Sequence, residues 1–264
     1  MSGRESHVEK LRGDLARVQR KVAALGARTQ TLDVRTRRLD ALRKADDDLG
    51  ARLDVLASIL DTERVLDSIH AAVLTSVIAE HPVQHLVIAN LLPDDAYAVI
   101  VNAVPAPEFF EADGRSNTEH LLVRSAPMPV DALVTWMFVT DVVAPALAAA
   151  VMARLAQGHG SSDIRLVGPR VVRRRPEYVP PAPGLAATDA GMAVMYLARP
   201  HDTVEYGSRL HTPSMPVPLD VPFQRNSAIA LWRAAASHAY AAIPRDAGEL
   251  VRDTYQFGME CRAR

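Results

Sequence analysis

The sequence has one cysteine, Cys261, so no intramolecular disulfide can form. It also lacks a basic tip followed by an apolar run and a cleavage site near Met1, since the first residues are charged and read as helix. A cytoplasmic location is the expectation from the two together. Nor is there an excess of charge of either sign: Lys and Arg number 30 against 31 Asp and Glu, a net charge of -1. That balance provides no overall field for nucleic acid or an anionic membrane, and neither is expected as a partner. No stretch offers the roughly 20 uninterrupted apolar residues of a membrane span. The nearest, Val142–Leu155, is broken by Pro145 and Arg154 and reads as a buried helix. Proline is absent from Met1 to Glu80. What is present, 264 residues at 48% hydrophobic content, suits one full globular domain with an appendage.

The appendage is the proline-free region, read as a helical segment over residues 1–80. Val8, Leu11, Leu15, Val18, Val22, Leu25, Leu32 and Leu39 fall at alternating steps of three and four, with Thr29 and Thr36 filling the gaps, a heptad seam. Leu42, Leu49, Leu53, Leu56 and Leu60 keep that rhythm, displaced by three residues, which overwinds a coiled coil locally without ending it. Gly13, Gly26 and Gly50 are weak points, each costing about 1 kcal/mol relative to alanine. So narrow a stripe needs a partner helix, and residues 8–60 are expected to self-associate or to bind a helical partner. The face from Arg4 to Lys44 is basic, after which Asp46–Asp48 reverse the sign; it reads as a solvated face or a contact for an anionic partner. Between Thr62 and Glu80 the stripe widens to Val65, Leu66, Ile69, Val73 and Val77, as on a helix packed against a core.

Residues 81–264 read as the globular domain. Leu86–Ala89 is a predicted strand, Pro93-Asp94-Asp95 opens a helix, and a second helix is predicted over Asp141–Ala156. Later come short strand-like runs: Ile164–Arg174, Met192–Leu197, Ser227–Trp232, Ser237–Ala242 and Arg252–Glu260. Helices first and strands later predict an α+β chain ending in a sandwich or jelly roll, whose inter-sheet cavity is where a ligand would sit. Arg170, Arg173, Arg174 and Arg175 form a basic run on one of these strands, read as a solvated sheet face or a steering patch for an acidic ligand.

Four stretches carry a family resemblance: Leu86–Pro93; Tyr178 to Tyr196-Leu197; Val221-Pro222-Phe223 through Asn226-Ser227-Ala228; and Ser237-His238 with Arg252-Asp253-Thr254. In order and spacing they resemble the iron(II)- and 2-oxoglutarate-dependent oxygenases of the prolyl-hydroxylase-like branch. The resemblance implies a double-stranded β-helix (jelly-roll, cupin-like) domain with flanking helices. It puts the family's His-x-Asp metal pair on Pro183 and Leu185 and leaves His238 as the one retained metal-ligand position. It also puts Arg252, with Thr254 as the accompanying hydroxyl, where the family holds the far carboxylate of 2-oxoglutarate. Proline and leucine cannot ligate a metal, so the expectation is a pseudoenzyme, a binding or scaffolding partner without a cofactor that takes at most an anionic small molecule. Two alternatives stay open. One is a metal-free enzyme with His238 as acid or base and Arg252 as anion clamp. The other is a genuine iron and 2-oxoglutarate oxygenase whose missing ligands are supplied by His201, His211 or Asp189.

Overall fold

The computed structural model describes Lys21, Asp33 and residues 35–113, 117–121, 128–155, 163–178, 191–210, 218–232 and 238–262, with the backbone alone at 113, 163, 238–240, 261 and 262. The chain divides into two compact units, Met1–Val55 and Leu56–Arg264. In the first, residues 35–55 are helical, and Leu39, Leu42 and Val55 are exposed. The long helix is thus present, while the coiled-coil pairing expected of it involves a further chain.

In the second unit the helical region breaks at Asp61, whose carboxylate accepts the backbone N–H of Arg64 at 2.8 Å and caps helix α1, Thr62–Thr75. Val65, Ile69, Ala72 and Val73 form its buried face, the spacing that a core-packed helix requires. Val77, expected on the same face, lies past the end of α1 and is exposed.

Eleven strands are described: β1 Ile78–Ala79, β2 His85–Ala89, β3 Glu111–Asp113, β4 Thr118–Leu121, β5 Asp163–Arg174, β6 Gly191–Tyr196, β7 Ser208–Leu210, β8 Leu219–Val221, β9 Ser227–Leu231, β10 His238–Tyr240 and β11 Arg252–Arg262. Eight form one antiparallel sheet in the order β1-β2-β9-β6-β11-β5-β4-β3, and β10-β7-β8 form a second. The chain is therefore α+β with a large antiparallel sheet, as expected. Strands β2, β5, β6, β9, β10 and β11 fall on the predicted runs within a residue or two. Strands β1, β3, β4, β7 and β8 were not predicted, β1 lying in the segment read as helix, because two to four residues are too few to display an alternation.

One face of the large sheet meets the helices, where Trp136 packs on Tyr255 with ring centroids 5.8 Å apart. The other meets the small sheet: Val194, Tyr196, Ile229 and Leu231 form one buried cluster with Leu210, Val221 and Phe223. At Gly207, beside β7, an added Cβ would stand 2.1 Å from the Val221 carbonyl oxygen, so only glycine allows the two segments to approach so closely.

The helix predicted over Asp141–Ala156 begins earlier. Helix α3, Val130–Phe138, runs through a π turn, Val139–Val143, into α4, Ala144–Leu155. Pro145 thus lies inside a continuous helical run rather than in its first turn, and the π turn just before it absorbs the hydrogen bond that proline cannot donate. At 26 residues the run is long and apolar enough to cross a membrane by length and composition. Trp136, Val139, Val143, Leu147, Val151 and Leu155 along it are nevertheless buried in the protein, as the reading of a core helix expects.

Helix α2, Asp94–Asn102, starts at Pro93 as predicted and fixes the end of β6 through Tyr97. The single phenolic proton is shared between the carbonyls of Tyr196, at 3.1 Å, and Ala198, at 2.8 Å. Burial pushes the Tyr97 phenol up to about 12 from the usual 10. A raised folded value means that this contribution to stability is complete below pH ~10 and is lost as pH rises toward 12, about 3 kcal/mol at ~1.4 kcal/mol per unit. Tyr97→Phe is therefore expected to lose about 1 kcal/mol at neutral pH and to flatten the alkaline limb of a stability-against-pH curve measured by urea unfolding.

Candidate anion-binding site

Cross-strand partners in an antiparallel sheet project from the same face, so the register identifies which side chains share the space between the two sheets. On β11 and β5, Arg252 is paired with Arg174, Thr254 with Val172 and Gln256 with Arg170. Thr254 is also paired with Tyr196 on β6, and Arg174 with Thr118 on β4. Since Tyr196 belongs to the apolar cluster, Thr118, Arg174, Arg252, Thr254 and Gln256 continue the same inner face across β4, β5 and β11. That face is apolar on β6 and β9 and polar, with two wholly buried arginines, on β5 and β11.

Arg252 has 0% exposure. Its Nη2 donates to the carbonyl and the hydroxyl of Thr203, at 2.9 and 2.8 Å, and its Nε to the carbonyl of Glu205 at 3.1 Å. Asp202 Oδ1 is 3.8 Å from Nη1. The guanidinium lies 4.6 Å from the centroid of the Phe223 ring, which in turn packs 5.3 Å from Tyr196. Burial lowers the Arg252 pKa, Arg174 lowers it further, and Asp202 opposes both. The second arginine, Arg174, also has 0% exposure and has the Tyr178 ring 5.9 Å away. The Thr254 hydroxyl, buried as well, points to the Val172 carbonyl at 3.4 Å and keeps its acceptor lone pairs. Two guanidiniums side by side in a poorly solvated interior raise the cost of each other's charge.

The neighbouring Arg173 points to the opposite face. It holds Asp253, its cross-strand partner, by two hydrogen bonds of 2.8 and 2.9 Å and lies over the Phe110 ring. Arg199 approaches the same carboxylate at 3.6 Å. Arg175 pairs with Glu119 at 3.1 Å. The basic run is therefore not a solvated sheet face: Arg173 and Arg174 are buried on opposite sides, and Arg252 is matched with Asp202 rather than with Asp253 or Glu249.

His238 sits on β10, paired with Leu210 of β7, and its side chain lies outside the described residues. Pro183, Leu185, Asp189 and His211 lie outside them altogether. His201 is exposed in the turn after β6, and Asp202 beside it accepts the Arg199 backbone N–H at 2.8 Å. Of the sequence-predicted residues the structure therefore places Arg252 and Thr254 on one face, and it brings Asp202 to Arg252. It adds Arg174, named in the sequence only as part of the basic run, and Phe223 and Tyr196, named only within the stretches that carry the resemblance.

On the alignment that the resemblance implies, two of the three metal-ligand positions would fall on Pro183 and Leu185, whose side chains have no donor atom, and an iron site of the family's kind would not fit them. Among the described residues no three of His, Cys, Asp and Glu converge as metal ligands.

No family model matches the chain, and no curated protein matches it either. Solved structures do. HygX from Streptomyces hygroscopicus, with nickel, 2-oxoglutarate and hygromycin B bound, is similar at 13% identity over 66% of this chain and 82% of its own, with a TM-score of 0.47. A Pseudomonas putida prolyl-4-hydroxylase is similar at 18% identity over 75% and 99%, with a TM-score of 0.45. A prolyl hydroxylase from Trichoplax adhaerens, in complex with a hypoxia-inducible-factor peptide fragment, is similar at 10% identity over 75% and 90%, with a TM-score of 0.47. Two of these three structures are prolyl hydroxylases, and the third holds 2-oxoglutarate.

Proposed function

We propose that this chain is a binding protein on a double-stranded β-helix, which takes a small carboxylate- or phosphate-bearing molecule between its sheets without iron, and that its N-terminal helix joins it to other copies. The observation that supports this most is the pairing of Arg174 with Arg252, both wholly buried on the inner face. Arg174 and Arg252 supply the positive charge for the anion, Arg252 while its Nε and Nη2 hold the segment after β6, and Thr254 lies one side-chain step along the same face. Binding rather than turnover is assigned because Pro183 and Leu185 provide no metal donors, and no step through iron is drawn.

Calorimetric titration of chelator-treated protein with 2-oxoglutarate, succinate, inorganic phosphate and a phosphate monoester tests the reading. Two charge-assisted contacts worth about 1.5–3 kcal/mol each place the expected dissociation constant between roughly tens of micromolar and several millimolar for at least one of these anions. Stoichiometric iron that is needed for 2-oxoglutarate to bind, with oxygen uptake, would overturn the proposal in favour of an oxygenase. Failure of every anion to bind would reduce the two arginines to a structural role.

A further inference from the structure

The helix over residues 35–55 carries its charge in two blocks. From Arg35 to Lys44 five basic residues, Arg35, Arg37, Arg38, Arg43 and Lys44, stand against Asp40, a net of +4. From Ala45 to Asp54 four acids, Asp46, Asp47, Asp48 and Asp54, stand against Arg52, a net of -3. Along the same segment the seam residues Leu39 and Leu42 are 65% and 59% exposed, and Leu49 and Leu53 are only half-buried.

We infer that this helix pairs with a second copy of the same chain in antiparallel orientation, about a two-fold axis near Lys44. A parallel pair in register sets +4 beside +4 and -3 beside -3, so both halves repel. Reversing one helix sets each basic block beside the other copy's acidic block, and the two-fold axis repeats the match on both sides. The chain thus carries its own complement, and no different partner is needed to balance the charge. In that register Leu39 of one copy lies beside Leu49 of the other. Asp46, the one acid in the seam between Leu42 and Leu49, stands level with Leu42 of the other copy, one residue from its Arg43. A polar seam residue with a charge partner in only one alignment fixes register and direction. Gly50 has open space where a side chain would stand, which leaves room for the second helix. The inference rests on the self-association part of the proposed function and uses none of the residues of the arginine site.

The test is a spin–spin distance in the full chain carrying Cys261→Ser and Thr36→Cys, labelled at the single cysteine, after light scattering has given the mass. At ~1.5 Å of rise per residue and ~10 Å between axes, two labels at Thr36 in the antiparallel pair stand about 26 Å apart, against about 10 Å in a parallel one. The longer distance is the expected result. The shorter distance in a dimer overturns the orientation and leaves self-association intact, whereas a monomer overturns both. Asp46→Lys, Asp47→Lys and Asp48→Lys together, with helix content checked by circular dichroism, are expected to weaken dimerisation at least tenfold at low salt. Unchanged dimerisation would overturn the charge argument.

Discussion

Replacing Asp253 with alanine is expected to cost this protein about 3–5 kcal/mol of stability, the usual penalty for leaving a buried charge without its partner. The carboxylate sits in the middle of β11, where both it and the Arg173 side chain are at most 5% exposed. The contact is bidentate, and the guanidinium is further enclosed by the Phe110 ring at 4.2 Å. Removing the carboxylate takes away the counter-ion that Arg173 is hydrogen-bonded to among the described residues and leaves only Glu119, its register partner on β4, which already pairs with Arg175. The converse change, Arg173→Met, is expected to cost less, because Arg199, half in solvent, still reaches Asp253. Arg173→Met with Asp253→Leu is expected to recover most of the loss, since two matched apolar groups carry no desolvation penalty. Urea midpoints at unchanged m-value give all three numbers, and a loss below about 1 kcal/mol for Asp253→Ala would mean that water reaches the pair. Because Asp253 projects from the other face of the strand than Arg252, none of these changes is expected to move anion affinity in protein that remains folded.

How this site arises shows what periodicity can and cannot reveal. The long strands were readable: β5 and β11 are runs of eleven or twelve residues, long enough for alternation to set both their existence and their faces. The alternation also gives the relation of Arg173 to Arg174, on opposite faces. What it lacks is the register between strands about eighty residues apart in sequence, which decides that Arg174 meets Arg252 and Arg173 meets Asp253. Burial was misread for the same reason. A basic run looks solvated until the strands on either side of it are known, and the strand that covers one side, β4, is four residues long and carries no pattern. The break of the helix at Asp61 fell inside a proline-free region read as continuous helix, and the early start of α3 was hidden because its apolar residues surround the axis and yield no stripe.

Substitution at the paired arginines separates binding from architecture, and the two positions are not equivalent. Arg174→Met is expected to lower anion affinity about 10- to 100-fold, the equivalent of one lost charge-assisted contact of roughly 1.5–3 kcal/mol, with the fold retained. Arg252→Met is expected to lose at least as much affinity and, in addition, to loosen the segment after β6. Its guanidinium holds the Thr203 and Glu205 carbonyls, and without it these acceptors lose their donors at about 1–3 kcal/mol each where they stay buried. Limited proteolysis across residues 199–206 reports that loosening independently of any ligand. Arg252→Lys keeps the charge but not the fork that donates in three directions at once, so it is expected to rescue little of either effect. An Arg252→Met protein that bound anions with native affinity would make Arg252 a latch for the segment after β6 alone. An Arg174→Met protein that did so would remove the second arm from the site. If both variants lose affinity and only Arg252→Met gains a cleavage site near residue 203, one arginine serves the ligand and the other serves the ligand and the fold together.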